Sequence, residues 1–214
     1  MKIKHIIWDW NGTLLDDNWL SLKAINILLE KYDLSAIEKE KYLQIFTFPV
    51  IDYYRKLGFD FDKIPFSVIG TEFIKEYNDR MYDAKMQDGA LDILNYFHEA
   101  GISQSLLSAA KQKMLDDMMM FHNLEKYFLK VLGLTDHYAN SKVAAGKSWI
   151  NELEYDTKEI LLIGDTIHDV EVADEMGTEC VLIAQGHTAY DRLESSGKEV
   201  FYNLFEFKEW FNKQ

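Results

Sequence analysis

Apolar residues fall into two rhythms along the chain. Short apolar runs stand at residues 3–8, 102–107, 160–163 and 180–184, with a weaker one at 129–132. Each is bounded by polar residues or glycine, which is how strands covered on both faces of a parallel sheet read. Between them the apolar positions take helical spacing. Leu91, Leu94, Phe97 and His98 lead to a stop at Gly101; Val143, Ile150 and Leu153 share a face; Val170, Ala173 and Met176 run to Gly177. Strand alternating with helix predicts an α/β fold, a Rossmann-like parallel sheet with helices on both faces and right-handed crossovers.

Residues 17–87 break that alternation. They carry amphipathic stretches at 20–32, 37–46, 51–57 and 66–82, with Pro49 and Pro65 at the turns and no convincing strand. The expected organisation is an α/β core from residues 1–16 and 88–214, interrupted by a helical cap domain at 17–87.

In open parallel sheets ligands bind beyond the carboxyl ends of the strands. Polar clusters follow three of the expected strands: Asp9 to Thr13, Ser108, and Asp165 to Asp169, with Lys142 ahead of the last. Carboxylates on neighbouring strand ends suit a hard cation such as Mg2+, which takes oxygen ligands. Together with a lysine and backbone amides, such a cation would hold a phosphoryl group.

This constellation resembles the haloacid dehalogenase-like hydrolase superfamily, in its phosphoglycolate phosphatase and β-phosphoglucomutase branch. An apolar strand followed by Asp-x-Asp-Gly-Thr is matched by Ile6-Ile7-Trp8-Asp9-Trp10-Asn11-Gly12-Thr13. A strand ending in Ser or Thr is matched by Leu106-Leu107-Ser108, the family lysine by Lys142, and Gly-Asp-x-x-x-Asp by Gly164 to Asp169. The helical insert lies where that family carries its cap.

The resemblance implies a phosphatase that hydrolyses a small phosphorylated metabolite through an aspartyl-phosphate. Asp9 would be the nucleophile and a Mg2+ ligand. The Asn11 carbonyl and Asp165 would complete the protein's ligands, and Asp169 would support the metal's water shell or orient Lys142. Ser108, Lys142 and the loop amides of Trp10, Asn11, Gly12, Thr13 and Ala109 would hold the transferring oxygens. A carboxylate is already ionised at neutral pH and needs no base to activate it.

Asn11 departs from the pattern, because the family's second aspartate protonates the leaving oxygen and then activates water. Asparagine offers a carbonyl and an amide but no catalytic proton, and losing general acid–base help typically costs about 10²–10⁴-fold. Leaving groups that need no proton (acyl phosphates, phosphoanhydrides, aryl phosphates) should suffer least. On this view Asn11→Asp restores the acid. Two other readings stand beside it: a phospholigand-binding or regulatory protein with weak turnover, favoured by Asn11, and a phosphonatase or dehalogenase. A phosphonatase would need an imine-forming cap lysine such as Lys56 or Lys75.

Several residues carry plainer alternatives. Lys147 competes with Lys142 but reads as a solvated lysine, and Ser108 could be a helix N-cap. Ala145-Gly146-Lys147-Ser148 looks like the end of a P-loop, yet Ser141 stands where that pattern needs glycine. His168 is expected as an exposed helix-start residue, Trp8 in the core, and Trp10 and Trp19 at the entrance. Phe46-Thr47-Phe48-Pro49 and Arg55 are candidate substrate contacts.

Composition narrows the setting. A net charge of −13 repels nucleic acid and anionic membranes alike. The single cysteine, Cys180, sits in an apolar run and reads as a small buried hydrophobe in a reducing compartment. The first residues do not read as a signal peptide, and no apolar run is long enough to span a bilayer. A cytoplasmic location is expected.

Overall fold

A computed structural model describes residues 3–134 and 140–213, with Asn140 and Ser141 as backbone only. The first strand, β1 (His5–Trp8), is fully covered. Its alternation sends Ile6 and Trp8 to one face and Ile7 to the other, and each face joins a separate apolar cluster. The chain then forms β2 (Leu15–Asp16), α1 (Asn18–Lys31), α2 (Lys39–Ile45), α3 (Val50–Leu57), α4 (Phe66–Asn78) and β3 (Lys85–Met86). Next come α5 (Ala90–Glu99), β4 (Ser103–Lys111), α6 (Gln112–His122), β5 (Val131–Leu134), α7 (Asn140–Glu152), β6 (Ile160–Gly164) and α8 (Ile167–Met176). The last elements are β7 (Glu179–Ile183), α9 (Tyr190–Glu194), β8 (Glu199–Phe201) and α10 (Leu204–Phe211).

Six strands form one parallel sheet in the order β5-β4-β1-β6-β7-β8. The chain builds outward from β1 through β4 to β5, then crosses back to β6 on the other flank of β1. Strand order therefore reverses at β1, and a crevice opens at its carboxyl end. On one face Trp8 packs on Phe97 of α5 and Phe207 of α10. On the other, Ile7 and Leu162 meet Trp149 of α7 and Val172, Ala173 and Met176 of α8. Cys180 is buried in this second cluster and burial raises its thiol pKa.

The insert has its own core. Ile25, Leu28, Leu29, Tyr42, Tyr53, Tyr54, Phe59 and Ile69 are buried together among α1 to α4. Where the sequence suggests no strand between 17 and 87, Lys85–Met86 pairs antiparallel with Leu15–Asp16. The two chain crossings into the insert are thus tied side by side.

Three elements differ from the apolar pattern, two in their bounds and one in its buried face. β4 runs past Ser108 to Lys111, so Ser108 is a strand residue rather than a helix cap; its Oγ accepts the Ala110 N–H at 3.1 Å. Leu91 is exposed, and the buried face of α5 is Ala90, Ile93, Leu94 and Phe97. The helix expected to reach residue 82 ends at Asn78.

Candidate active site

The carboxyl ends of β1 and β6 bring the acidic residues together. Asp9 follows Trp8 directly, and its backbone N–H still bonds the Ile163 carbonyl of β6 at 2.8 Å. Asp165 follows Gly164, and Asp169 lies in the first turn of α8. Helix-start chemistry places Asp169: the Thr166 and Asp169 side chains cap each other's backbone in a reciprocal box. Each of Asp9, Asp165 and Asp169 offers an oxygen within 4.8 Å of the others, and all three are buried.

Lys142, from the first turn of α7, reaches back to this cluster. Its Nζ donates to Asp9 Oδ1 at 2.6 Å and to Asp169 Oδ1 at 2.7 Å. Lys147, its rival in sequence, is half-exposed and pairs with Glu175. Thr13 Oγ1 lies 3.2 Å from Asp9 Oδ2 and 3.1 Å from Asp165 Oδ1.

The electrostatics are those of crowded acids held chiefly by Lys142, with His187 on the Asp165 side. Burial pushes Asp9 up to about 6, against the pull of Lys142. Burial holds Asp165 well above the carboxylate range against the pull of His187, with the other two carboxylates adding to the push. Burial acts the same way on Asp169, but Lys142 and the hydroxyl of Thr166 outweigh it and hold that carboxyl low. Burial opposes the charge on Lys142, yet Asp169 and Asp9 raise its pKa.

This donor set fits a hard dication. It is all oxygen, buried and short of positive charge. The backbone makes room for it: a Cβ on Gly186 would stand 2.0 Å from Asp165 Oδ2, and one on Gly12 2.4 Å from the same oxygen. Gly12 also sits at φ +78°, which a side chain would strain. Asp169 touches Lys142 directly, the contact that one of the two roles expected for it needs. Its Oδ1 is taken by the lysine, and its Oδ2 by the Thr166 hydroxyl and the N–H groups of Asp165 and Thr166. Asp9, Asp165, Asp169 and the Asn11 carbonyl are all candidates at the metal.

Ser108 is buried on the same strand edge, two residues past the Trp8–Leu106 pair. Ala109 follows it in β4, and the Trp10 amide lies next to Asp9. The Trp10 indole corrects an expectation, however. It is fully buried in the core beside His122 and does not line an entrance. Trp19 is partly exposed and donates to the Asp16 carbonyl. His168 is less open than expected: its ring stacks on Phe48 at 4.7 Å and its Nδ1 lies 2.9 Å from Glu171. Arg55 pairs with Asp52 and lies over Phe61, within the insert. The segment from Phe46 to Pro49 does meet the core, with Phe46 packed on His187 and Phe48 on His168.

Two residues that the sequence pattern did not single out complete the site. Asp17 is almost fully buried where the chain enters the insert. Its Oδ1 accepts the Gly12 N–H at 2.8 Å and lies 3.2 Å from His187 Nε2. Its Oδ2 accepts from Asn11 Nδ2 at 2.9 Å and from the Tyr77 hydroxyl at 2.7 Å. His187 follows β7 and grips both sides of the site. Its backbone N–H donates to Asp165 Oδ2 at 2.6 Å, and its Nδ1 lies 2.7 Å from the Tyr42 hydroxyl of α2. Burial works against its charge, but Asp17 and then Asp165 raise it to about 9. The insert is further fastened over this loop by Leu43, whose carbonyl accepts from Ala189 N–H and Arg192.

Comparison with known proteins agrees with this geometry. The family model described as haloacid dehalogenase-like hydrolase matches residues 6–183. The chain is 25% identical over 182 residues to pyrophosphatase PpaX of Listeria monocytogenes, covering 79% of this chain and 78% of that protein. A haloacid dehalogenase-like family protein from Streptococcus pneumoniae superposes with a TM-score of 0.84 at 16% identity, covering 98% of each chain. A predicted phosphoglycolate phosphatase from Haemophilus somnus superposes with a TM-score of 0.76 at 15% identity, covering 99% of each. At such identities the structural likeness is one of fold.

Proposed function

The chain belongs to the haloacid dehalogenase-like hydrolases, and from that premise we propose that it is a Mg2+-dependent phosphatase of small phosphorylated compounds with Asp9 as nucleophile. The observation that carries this reading is the buried cluster in which Lys142 spans Asp9 and Asp169 beside Asp165. Asp9, Asp165 and the Asn11 carbonyl would hold the metal. Bound there, Mg2+ supplies the charge neutralisation that lets a carboxylate approach an anionic phosphate.

The chain's own groups do the rest. Lys142 and Ser108, with the amides of the loop from Trp10 to Thr13 and of Ala109, hold the phosphoryl oxygens. An Asp9 oxygen attacks phosphorus, the bond to the leaving oxygen breaks, and an aspartyl-phosphate forms. Water then attacks phosphorus, phosphate leaves, and the Asp9 carboxylate is restored. Asn11 has no proton to give the leaving oxygen, so that oxygen departs unprotonated or is protonated by solvent. Substrates with a good leaving group are therefore favoured. A phosphoanhydride is one such, in keeping with the pyrophosphatase name of the Listeria relative.

Residues 17–87 act as the cap in this proposal. Asp9, Lys142, Asp165 and Asp169 are all buried beneath them and the core loops, so substrate entry requires the cap to swing away, and closure excludes water. Among the described residues no helix is long and apolar enough to cross a membrane. We take the protein to work in the cytoplasm, which suits its buried free thiol. A weakly active phospholigand-binding protein is the second reading, favoured by Asn11 alone.

Hydrolysis of p-nitrophenyl phosphate and of pyrophosphate, with Mg2+ and after EDTA treatment, separates the two. The proposal expects turnover that EDTA abolishes and Mg2+ restores. Binding of phosphate compounds without turnover of any would favour the second reading.

A further inference from the structure

Asn11 stands where the family's acid is expected, and its side chain is already engaged. A carboxylate can only accept, so the amide nitrogen must face Asp17. That nitrogen lies 2.9 Å from Asp17 Oδ2 and 2.9 Å from the Tyr77 hydroxyl, which itself donates to Asp17 Oδ2 at 2.7 Å. The three side chains close a ring of hydrogen bonds. They belong to three different parts of the molecule: the nucleophile loop, the entry into the cap, and the far helix of the cap, α4.

Both oxygens of Asp17 already accept, and as a carboxylate it has no proton to give an acceptor at position 11. Gly12 N–H and His187 Nε2 meet its Oδ1, while Asn11 and Tyr77 fill its Oδ2. A carboxylate placed at position 11 would therefore face a second buried carboxylate at the distance of a hydrogen bond. Like charges so close cannot both be ionised without a large penalty. The amide is what this pocket requires.

We propose that Asn11 and Asp17 form one positioning unit, in which the amide of the nucleophile loop and the carboxylate of the cap hinge fix the loop's geometry when the cap is closed. Neither residue exchanges a proton with substrate through this contact. Their effect passes through Asp9 and through the loop amides that would hold the phosphoryl group. The Tyr77 hydroxyl makes the unit sensitive to the cap, because it can complete the ring only when α4 lies against the hinge. This inference rests on the phosphatase reading and overturns one expectation drawn from sequence: Asn11→Asp does not restore an acid here, but breaks the unit.

The chemistry of the ring allows a direct test by exchange. In the double variant Asn11→Asp/Asp17→Asn, the amide introduced at position 17 keeps an oxygen for Gly12 and His187 and presents its nitrogen to the new carboxylate at position 11. The hydrogen bond is reversed but preserved. The measurements are kcat and KM for p-nitrophenyl phosphate and for an alkyl phosphate with Mg2+, and the melting temperature, for wild type, both single variants and the exchange. Each single variant is expected to lose about tenfold or more in kcat, the scale of a disturbed supporting contact, with KM little changed. The exchange is expected to regain most of that kcat and the melting temperature together. If Asn11→Asp alone raises kcat for the alkyl ester, or the exchange is no better than the worse single variant, the proposal is wrong. Should the single variants fail to fold, Tyr77→Phe keeps the ring's shape and removes only its hydroxyl. It is expected to lower kcat several-fold and to speed hydrogen exchange in α4; an unchanged kcat would overturn the proposal. Wild-type turnover, measured in the same series, tests the phosphatase reading separately.

Discussion

The two ends of β1 both bury a titratable side chain and treat it in opposite ways. At the amino end His5 is fully covered, with its ring nitrogens 2.7 and 2.8 Å from the hydroxyls of Ser103 and Ser105. Burial pulls its pKa down to about 4, so the imidazole is neutral at pH 7. At the carboxyl end Asp9 shares a dry space with two more carboxylates, and Lys142 bridges Asp9 and Asp169 while His187 offsets Asp165. A neutral hydrogen-bonded group satisfies a buried strand end at small electrostatic cost. Crowded carboxylates do not, because each loses its hydration and repels the others. That electrostatic cost, large at one end of the strand and small at the other, supports the proposed placement of the chemistry at the carboxyl end.

The largest effect expected from breaking this contrast is that of Asp9→Asn. Hydrolysis of p-nitrophenyl phosphate should fall by about 10³-fold or more, as loss of a nucleophile commonly does. The melting temperature should hold or rise, because the substitution removes one of the crowded charges and leaves Lys142 its bond to Asp169. Residual turnover above about a tenth of wild type would exclude Asp9 as nucleophile.

A smaller effect should appear as metal-dependent stability. Without metal, Asp9 takes up a proton as pH falls through about 6, and Asp165 is shifted in the same direction. A carboxyl whose folded pKa is raised makes the metal-free fold relatively more stable as pH falls, and a bound proton competes with Mg2+. Saturating Mg2+ should thus raise the melting temperature by a few degrees at pH 7.5 and by clearly less at pH 5, read by differential scanning fluorimetry. An equal shift at both pH values would place the metal elsewhere.

The smallest effect on activity belongs to the other end of the strand. His5 has a folded pKa of about 4 against an ordinary 6.5. Its contribution is intact above pH 6.5 and is lost as pH falls through that window, because the unfolded chain binds a proton that the folded one refuses. The loss approaches about 3 kcal/mol by pH 4. His5→Gln should flatten that part of the stability curve in denaturant titrations while leaving kcat within about twofold. A large loss of turnover would mean that the two ends are not independent.

Much of this architecture was legible in the sequence because its signals are local. Ile6-Ile7-Trp8, Leu106-Leu107 and Leu161-Leu162-Ile163 are covered on both faces and read as central strands. Asp9 and Asp165 stand directly after strand ends and Asp169 in the first turn of the helix that follows, where the resemblance of the two motifs pointed to them. Other elements hid for physical reasons. In α6 the exposed Met120 and Phe121 blur the helical period of Leu115, Met118 and Met119. The strands Lys85–Met86 and Glu199–Phe201 are too short to establish alternation. Asp17 and His187 are 170 positions apart and meet only in the fold. The available hints were a second aspartate beside Asp16 and a Gly-His pair after a strand end. Neither says that the aspartate holds the Asn11 amide.

The central claim is covalent phosphoryl transfer to Asp9, and trapping the intermediate tests it most directly. The protein is mixed with p-nitrophenyl phosphate and Mg2+, quenched in acid within the first turnovers, digested, and read by mass spectrometry. The account predicts the mass of one phosphoryl group on the peptide carrying Asp9, lost on treatment with hydroxylamine and missing from Asp9→Asn. Burst release of p-nitrophenol with the phosphoryl group on another residue would contradict it, as would steady turnover by Asp9→Asn.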